Sequence, residues 1–128
     1  MDTAFATHGA FSWNELITTD VAGARRFYGE LLGWQFKDMP MGDASYTVIG
    51  AGGKDIGGIM HTPANAEDMP PTWGSYVTVD DVDARSGVAK KLGGKVVLPP
   101  TDIPGVGRFT VIQDPQGALI SLISYARG

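Results

Sequence analysis

The chain repeats one pattern of residues 61 positions after it first occurs. Each copy reads as a strand, a helix that starts after an aspartate, and a glycine that stops the helix. The two helix starts are Asp20-Val21 and Asp81-Val82, and the two stops are at Gly33 and at Gly93-Gly94. A repeat of this length indicates one supersecondary unit that is used twice.

Alternating apolar residues and turn signals complete each copy as β-α-β-β-β. The first copy is predicted to span about residues 11–61 and the second about residues 73–125, with a polar, proline-bearing linker at 62–72. At 128 residues the chain suits a single domain. The predicted class is α+β, with each helix covering one face of a four-stranded sheet and leaving the other face to be covered by something else.

Several local predictions follow from the same patterns. The first helix, which contains Phe27 and Leu31, is expected to pack over Leu16, and Gly42-Asp43 is expected to form a turn. Residues 99–107 are predicted to be a loop between two strands. Asp114-Pro115-Gln116-Gly117 has the residue order of a type I turn.

The composition excludes several functional classes. A net charge of −4 gives no electrostatic basis for binding nucleic acid. With no cysteine, the chain has no disulfide, thiolate metal site or cysteine nucleophile. No apolar stretch reaches the roughly 20 residues that a membrane span requires. The first residues do not resemble a signal peptide, so a cytoplasmic location is expected.

One combination of motifs is similar to a known family. Phe27-Tyr28-x-x-Leu31-Leu32-Gly33-Trp34, the two Asp-Val helix starts and the Asp114-Pro115-Gln116-Gly117 turn together resemble the vicinal oxygen chelate superfamily. This superfamily contains glyoxalase I, bleomycin-resistance proteins, fosfomycin-resistance enzymes and extradiol dioxygenases. The resemblance covers residues 11–125. It implies two βαβββ modules that form curved half-barrels around a ligand cup, which in many members lies between two chains.

The same resemblance bears on metal binding. Metal-using members take four His, Gln or Glu ligands from fixed strand positions. By the resemblance these positions are occupied here by Trp13, Gly58, Gly74 and Ser121. None of the four is a usual metal ligand, so no metal and no other cofactor is predicted. The histidines offer no replacement set, since His8 falls in a stretch expected to be frayed and His61 at an expected strand end.

Glu15 is the candidate catalytic residue. It shares a strand face with Trp13, because side chains alternate along a strand, and the face opposite Leu16 is the face of the cup. A carboxyl in such a cup can act as a general acid or base in a metal-free enzyme. The alternative is a structural role, in which Glu15 pairs with an arginine such as Arg108 or reaches water at the rim.

The predicted ligand-binding set is mostly apolar with a few polar groups, as small-molecule pockets are. It consists of Trp13, Glu15, Gly58, Met60, Tyr76, Thr78, Arg108 and Ser121. Arg108 could hold an anionic group through its planar guanidinium. For Trp13 and Tyr76 the alternative is that both fill the cup as part of the core.

Three functions remain open on the sequence alone. The first is metal-independent binding of a small molecule, such as a hydrophobic or aromatic metabolite or antibiotic, by sequestration as in bleomycin-resistance proteins. The second is a metal-free lyase or isomerase that uses Glu15. The third is an assembly or regulatory module with a vestigial cup. A homodimer is expected in each case, because exposed aromatic residues on the sheet faces would otherwise form a large apolar patch.

Overall fold

The computed structural model describes residues 3–41, 44–62, 70–103 and 105–126. The predicted turn at Gly42-Asp43 and most of the predicted linker, residues 63–69, lie outside these ranges. The elements in chain order are a 3-10 turn (Thr3–Phe5), β1 (Phe11–Thr18), α1 (Val21–Leu32), β2 (Gln35–Met41), β3 (Ala44–Ala51), β4 (Lys54–His61), β5 (Thr72–Thr78), α2 (Val82–Lys91), β6 (Lys95–Ile103), β7 (Gly107–Gln113) and β8 (Leu119–Tyr125).

The chain divides into two compact units. The first unit comprises residues 13–74, and the second joins residues 3–12 to residues 75–126. The strand order is β2-β3-β4-β1 in the first unit and β5-β8-β7-β6 in the second. The pairs β1–β4 and β5–β8 are parallel, and the other pairs within each unit are antiparallel. The order of elements confirms the α+β class and the repeated β-α-β-β-β pattern.

Both helices begin as the sequence predicts. The Asp20 carboxylate accepts a hydrogen bond from the Gly23 amide at 2.9 Å, and the Asp81 carboxylate accepts one from the Ala84 amide at 3.1 Å. Gly33 ends α1 with a φ of 72°, a conformation that glycine adopts without strain. Neither helix is long and apolar enough to cross a membrane, and the described ranges contain no other candidate.

The first helix packs over Leu16, as predicted. Two of its apolar residues, Phe27 and Leu31, are 58% and 61% exposed and lie outside the stripe that makes this contact. Residues at spacings of three and four form a single stripe on a helix, and here that stripe faces the core. The helix residues of this stripe are Val21, Ala24 and Tyr28. They pack on the sheet residues Leu16, Ile49 and Ile59.

The predicted loop at residues 99–107 is largely β-strand. β6 runs on to Ile103 and β7 begins at Gly107. Pro99 and Pro100 lie where the register with β7 shifts, between Leu98 and Thr101. β6 is also the last strand in the order of its unit. Proline is tolerated at bulges and edge strands, because its missing amide is not needed there.

The turn between β7 and β8 forms as predicted. The Gly117 amide donates to the Asp114 carbonyl at 2.9 Å. The Asp114 carboxylate accepts from the amides of Gln116 and Ala118 at 3.0 and 2.9 Å. Aspartate is favourable at the start of a turn because its side chain can accept hydrogen bonds from the backbone amides that follow it.

The N-terminal segment is ordered against the second unit, so the prediction of a frayed stretch around His8 is wrong. The Thr78 hydroxyl donates to the Ala4 carbonyl at 2.7 Å, and the Asp80 amide donates to His8 Nδ1 at 3.0 Å. The Phe5 ring meets the Tyr125 ring edge-on, with centroids 4.8 Å apart. Residues 3–10 are therefore part of the folded second unit.

Candidate functional site

One sheet face of the first unit carries three hydrogen-bonded side chains, Trp13, Tyr46 and Glu15, which we call the acid network. The Tyr46 hydroxyl donates to Glu15 Oε2 at 2.7 Å, and Trp13 Nε1 donates to the Tyr46 oxygen at 3.0 Å. Glu15 is only 8% exposed. Since a buried polar group is costly unless it is hydrogen-bonded, the network fixes the position of this carboxyl.

A glycine in the intervening strand makes the network possible. Glu15 lies in β1 and Tyr46 in β3, and β4 runs between these strands. Gly58 of β4 is the direct partner of Glu15 on one side and of Val48 on the other. A Cβ atom on Gly58 would overlap the hydroxyl of Tyr46. The missing side chain thus leaves the space through which Tyr46 reaches Glu15.

Four of the residues predicted from the sequence share this face. Trp13 and Glu15 are two positions apart in β1, as Gly58 and Met60 are in β4, and side chains two apart point the same way. Met60 is paired with Ile17 and is half-buried. The structure therefore brings Trp13, Glu15, Gly58 and Met60 together on one sheet face of the first unit.

The equivalent face of the second unit has different chemistry. Tyr76 of β5 is the direct partner of Ser121 of β8, as Glu15 is of Gly58 in the first unit. The Phe109 ring lies 6.2 Å from the Tyr76 ring. Thr78 follows on the same face, but its hydroxyl is bonded to the Ala4 carbonyl. The N-terminal segment thus covers the Thr78 end of this face.

Arg108 does not share that face. It precedes Phe109 in β7, so its side chain leaves the sheet on the opposite side from the Phe109 ring that meets Tyr76. The guanidinium donates to Asp83 of α2 at 2.9 and 3.0 Å and to Asp102 at 3.0 Å. The hydrogen bonds from Arg108 lower the pKa of Asp83. The prediction that Arg108 shares a face with Tyr76 is therefore corrected: Arg108 ties α2 to the β6–β7 hairpin.

The positions that the resemblance assigns to metal ligands do not form a ligand set. Trp13 Nε1 carries a proton that it donates to Tyr46, so it has no lone pair for a metal. Gly58 and Gly74 have no side chain, and Ser121 offers a single hydroxyl. Within the described ranges, no three His, Asp or Glu side chains gather where they could hold a metal ion. A transition-metal site needs three or four such ligands, so these residues do not fit one.

The opposite face of the first unit holds a shallow pocket of about 460 Å3, which we call the aromatic pocket. The Tyr28 and Trp34 rings stack with centroids 5.5 Å apart, and the Trp73 ring meets them edge-on at 5.5 and 5.9 Å. Trp73 Nε1 donates to the Tyr28 hydroxyl at 3.2 Å. The lining residues are Asn14, Tyr28, Trp34, Ile49, Ile56, Gly57 and Trp73.

Sequence reasoning missed Tyr46 and the aromatic pocket. Tyr46 was within reach of the alternation argument, since it lies two positions from Val48, the partner of Gly58. The glycine at position 58, which the resemblance assigns to a metal ligand, was also a signal that another side chain uses the space. The pocket had no such signal, because Trp34 and Trp73 are 39 positions apart and meet only in the folded unit.

The sequence profile of the Glyoxalase/Bleomycin resistance protein/Dioxygenase superfamily matches residues 10–122. A putative glyoxylase of Mycobacterium tuberculosis, CFP32, is 39% identical over 117 residues, which cover 89% of this chain and 45% of that protein. The anthracycline biosynthesis protein DnrV of Streptomyces peucetius is 32% identical over 133 residues, which cover 94% of this chain and 48% of that protein. The chain therefore spans about half the length of these two relatives.

The fold also matches solved structures. Methylmalonyl-CoA epimerase from Mycobacterium tuberculosis superposes with a TM-score of 0.68 at 18% identity, over 93% of this chain and 89% of that chain. A variant of homoprotocatechuate 2,3-dioxygenase from B. fuscum superposes with a TM-score of 0.63 at 16% identity, over 91% of this chain and 32% of that chain. At these identities the likeness concerns the fold alone.

Proposed function

This chain belongs to the glyoxalase/bleomycin resistance protein/dioxygenase superfamily, and from this premise we propose that it binds a small organic molecule at the acid network without a metal ion. The function as proposed is recognition of the ligand by Glu15 and Tyr46, with Trp13 and Met60 supplying apolar contact.

The observation that carries the proposal is the bond between Tyr46 and Glu15. It holds a carboxyl and a phenol hydroxyl 2.7 Å apart on a sheet face that also presents an indole ring and a methionine. A mostly apolar lining with a few fixed polar groups is how small-molecule sites achieve orientation and specificity. The proton of Tyr46 is donated to Glu15, and a carboxylate only accepts, so the pair suits a ligand that donates hydrogen bonds.

The absence of metal is part of the proposal and is tested separately. The support is the set of residues at the ligand positions, in which Tyr46 takes the space beside Gly58. Protein prepared without a histidine tag should carry less than one equivalent of zinc, nickel, iron or manganese by elemental analysis. Its melting temperature should not change with a chelator. One equivalent that survives dialysis, with loss of stability on chelation, would contradict metal independence.

A second candidate is a metal-free isomerase or lyase, and the same hydrogen bond supports it. The Glu15 carboxylate would take a proton from a carbon next to a carbonyl group, and in an isomerisation it would return that proton to the product. Tyr46 would hold the carboxylate in place during the transfer. General acid–base catalysis of this kind requires a positioned group within hydrogen-bond reach of the proton, as this network provides.

A ligand screen tests the proposal and separates the two candidates. Small metabolites and antibiotics are tested by thermal shift; a ligand at 100 times its Kd raises stability by about 2.7 kcal/mol. The names of the relatives, a putative glyoxylase and an anthracycline biosynthesis protein, support including oxo compounds and polycyclic aromatic compounds. A hit that is converted to product favours the enzyme, whereas one recovered unchanged favours sequestration.

The variants in this screen are Glu15→Gln and Tyr46→Phe, with Glu30→Gln as the control for an exposed carboxylate of α1. Binding at the acid network should weaken by about tenfold in each of the first two variants, which corresponds to one strong hydrogen bond. The control should bind as the unchanged protein does. A hit that tolerates both network variants would show that its site lies elsewhere.

A further inference from the structure

We propose that the aromatic pocket is a second ligand site, separate from the acid network, and that it takes a flat aromatic molecule bearing a hydrogen-bond acceptor.

The walls of the pocket favour a flat ligand. The Tyr28 and Trp34 rings are within 28° of parallel, whereas the Trp73 ring stands at 81° to the first and 74° to the second. Two walls therefore meet nearly at a right angle. Aromatic rings prefer offset stacking and edge-to-face contact, and a planar ligand in this corner can make one contact with each wall.

The floor of the pocket lies at the level of the backbone. Gly57 lines it, and a Cβ atom there would overlap the carbonyl of Asn14 in the adjacent strand. Position 57 is therefore held as glycine by strand packing. Its missing side chain leaves depth between Ile49 and Ile56, which line the pocket on β3 and β4. This depth admits the edge of a ring system.

The polar group of the pocket is the hydroxyl of Tyr28. Its oxygen accepts a hydrogen bond from Trp73 Nε1 at 3.2 Å, which leaves its own proton to be donated in another direction. A carbonyl or phenolate oxygen on the ligand would accept that proton. This chemistry distinguishes the proposed ligand from a purely aliphatic one.

The lining keeps apolar surface that a ligand can cover. Trp73 is 40% exposed and Ile56 is 37% exposed, and both line the pocket. A clustered apolar surface of this kind is typical of ligand-binding grooves. The open corner is suited to a ligand that would complete their burial.

The two sites of the first unit lie on opposite faces of its sheet. Asn14, which lines the aromatic pocket, and Glu15, in the acid network, are consecutive in β1 and point to opposite faces. A ligand in one site therefore does not touch the other, and the second site can exist whether or not the proposed function at Glu15 is correct.

Tryptophan fluorescence can test the second site by itself. The chain has three tryptophans, and Trp13→Phe leaves only Trp34 and Trp73, both in the pocket. We would titrate this variant with anthraquinone-2-sulfonate, a flat probe with carbonyl acceptors. We expect saturable quenching. Adding Trp73→Ala should weaken binding about tenfold, because loss of one stacked ring typically costs 1–3 kcal/mol.

Further variants refine the result. Tyr28→Phe should weaken binding of the probe by about fivefold, because one hydrogen bond is lost. Phe11→Ala is the matched control, since Phe11 is an exposed aromatic side chain outside the pocket. If Trp73→Ala fails to fold, Ile56→Glu replaces it: this partly exposed lining residue would then carry a charge that opposes entry of the sulfonated probe.

Two outcomes would overturn the proposal. One is quenching that does not saturate, or that Trp73→Ala and Ile56→Glu leave unchanged, which would show collisional contact only. The other is binding that survives these variants but is lost in Glu15→Gln. That result would place the probe at the acid network, supporting the proposed function while refuting the second site.

Discussion

The Glu15 carboxyl in β1 lies 2.7 Å from the Tyr46 hydroxyl in β3, although these two strands are not neighbours in the sheet. The strand between them, β4, contributes Gly58 at the crossing point. The contact therefore depends on Gly58, which has no side chain and takes no part in the hydrogen bond itself. Substitutions at Gly58 test the arrangement without altering either hydrogen-bonding partner.

Gly58→Ala should destabilise the protein by about 1–3 kcal/mol, the usual range for overpacking a filled site. The new methyl group would displace Tyr46 and break its bond to the buried Glu15. Urea denaturation measures the change. The matched control is Gly74→Ala, another strand glycine, where an added Cβ meets nothing within 4 Å. The control should change stability by less than about 0.5 kcal/mol.

A double variant shows whether the loss arises from Tyr46. Gly58→Ala combined with Tyr46→Val should be more stable than the sum of the single effects by about 1 kcal/mol or more, since contacting residues couple on this scale. Additive effects would mean that the methyl group introduced by Gly58→Ala collides with something other than Tyr46.

Glu15→Gln should change the unfolding free energy by no more than about 1 kcal/mol, because the amide oxygen can still accept from Tyr46. If the protein is an enzyme, the same variant should lose turnover, since an amide cannot take up the proton. Melting and an activity assay are the two measurements.

The opposite pattern has a definite meaning for Glu15. A loss of about 3 kcal/mol with function intact would indicate a buried charge pair that the substitution breaks. It would end the catalytic hypothesis for this residue.

Alkaline pH should destabilise the protein through Tyr125. Burial raises the pKa of the Tyr125 hydroxyl, and the hydrogen bond with Ser12 opposes this only in part. When the pKa of a group is higher in the folded state than in the unfolded state, the group contributes stability that is fully present below its unfolded pKa, about 10 for tyrosine. That stability is lost as the pH rises through the pKa of the folded state.

Urea unfolding between pH 8 and pH 11.5, compared with Tyr125→Phe, checks this expectation. The stability of the unchanged protein should fall relative to the variant above about pH 10. Curves that stay parallel throughout would show that Tyr125 titrates alike in the folded and unfolded states.

The protein should be a homodimer. The α1 residues Phe27, Leu31 and Leu32 are 58%, 61% and 52% exposed, and they add to the apolar surface that a second copy would cover. Light scattering at micromolar concentration should give twice the chain mass of 13.5 kDa. A mass of one chain would refute the expectation.

The fold was predictable because its signals are local. Asp20 and Asp81 cap the helices and Gly33 stops the first one through bonds to residues within four positions. Such local signals can be read from the sequence without knowledge of the rest of the structure. The extra length of β6 was not predictable in this way, because prolines read as strand breakers unless the strand is known to lie at an edge.

The site was predictable in part. Alternation placed Trp13, Glu15, Gly58 and Met60 on one face, but it failed for Arg108. A shift of one residue moves a side chain to the other face of a sheet, and the strand near Arg108 had no anchor for its register. The partner of Glu15 could not be predicted either. Tyr46 reaches Glu15 across β4, and the role of Gly58 in that strand can be recognised only when the pairing of the strands is known.

The N-terminal segment affects the order in which the chain can fold as it is synthesised. The first unit is one continuous stretch, whereas the second needs residues 3–12 together with residues 75–126. Contacts between distant parts of a chain form late, because closing a long loop costs entropy before it brings any gain. The ring contact between Phe5 and Tyr125 of β8 is therefore expected to form after the contacts within the first unit, because Tyr125 is synthesised after that unit.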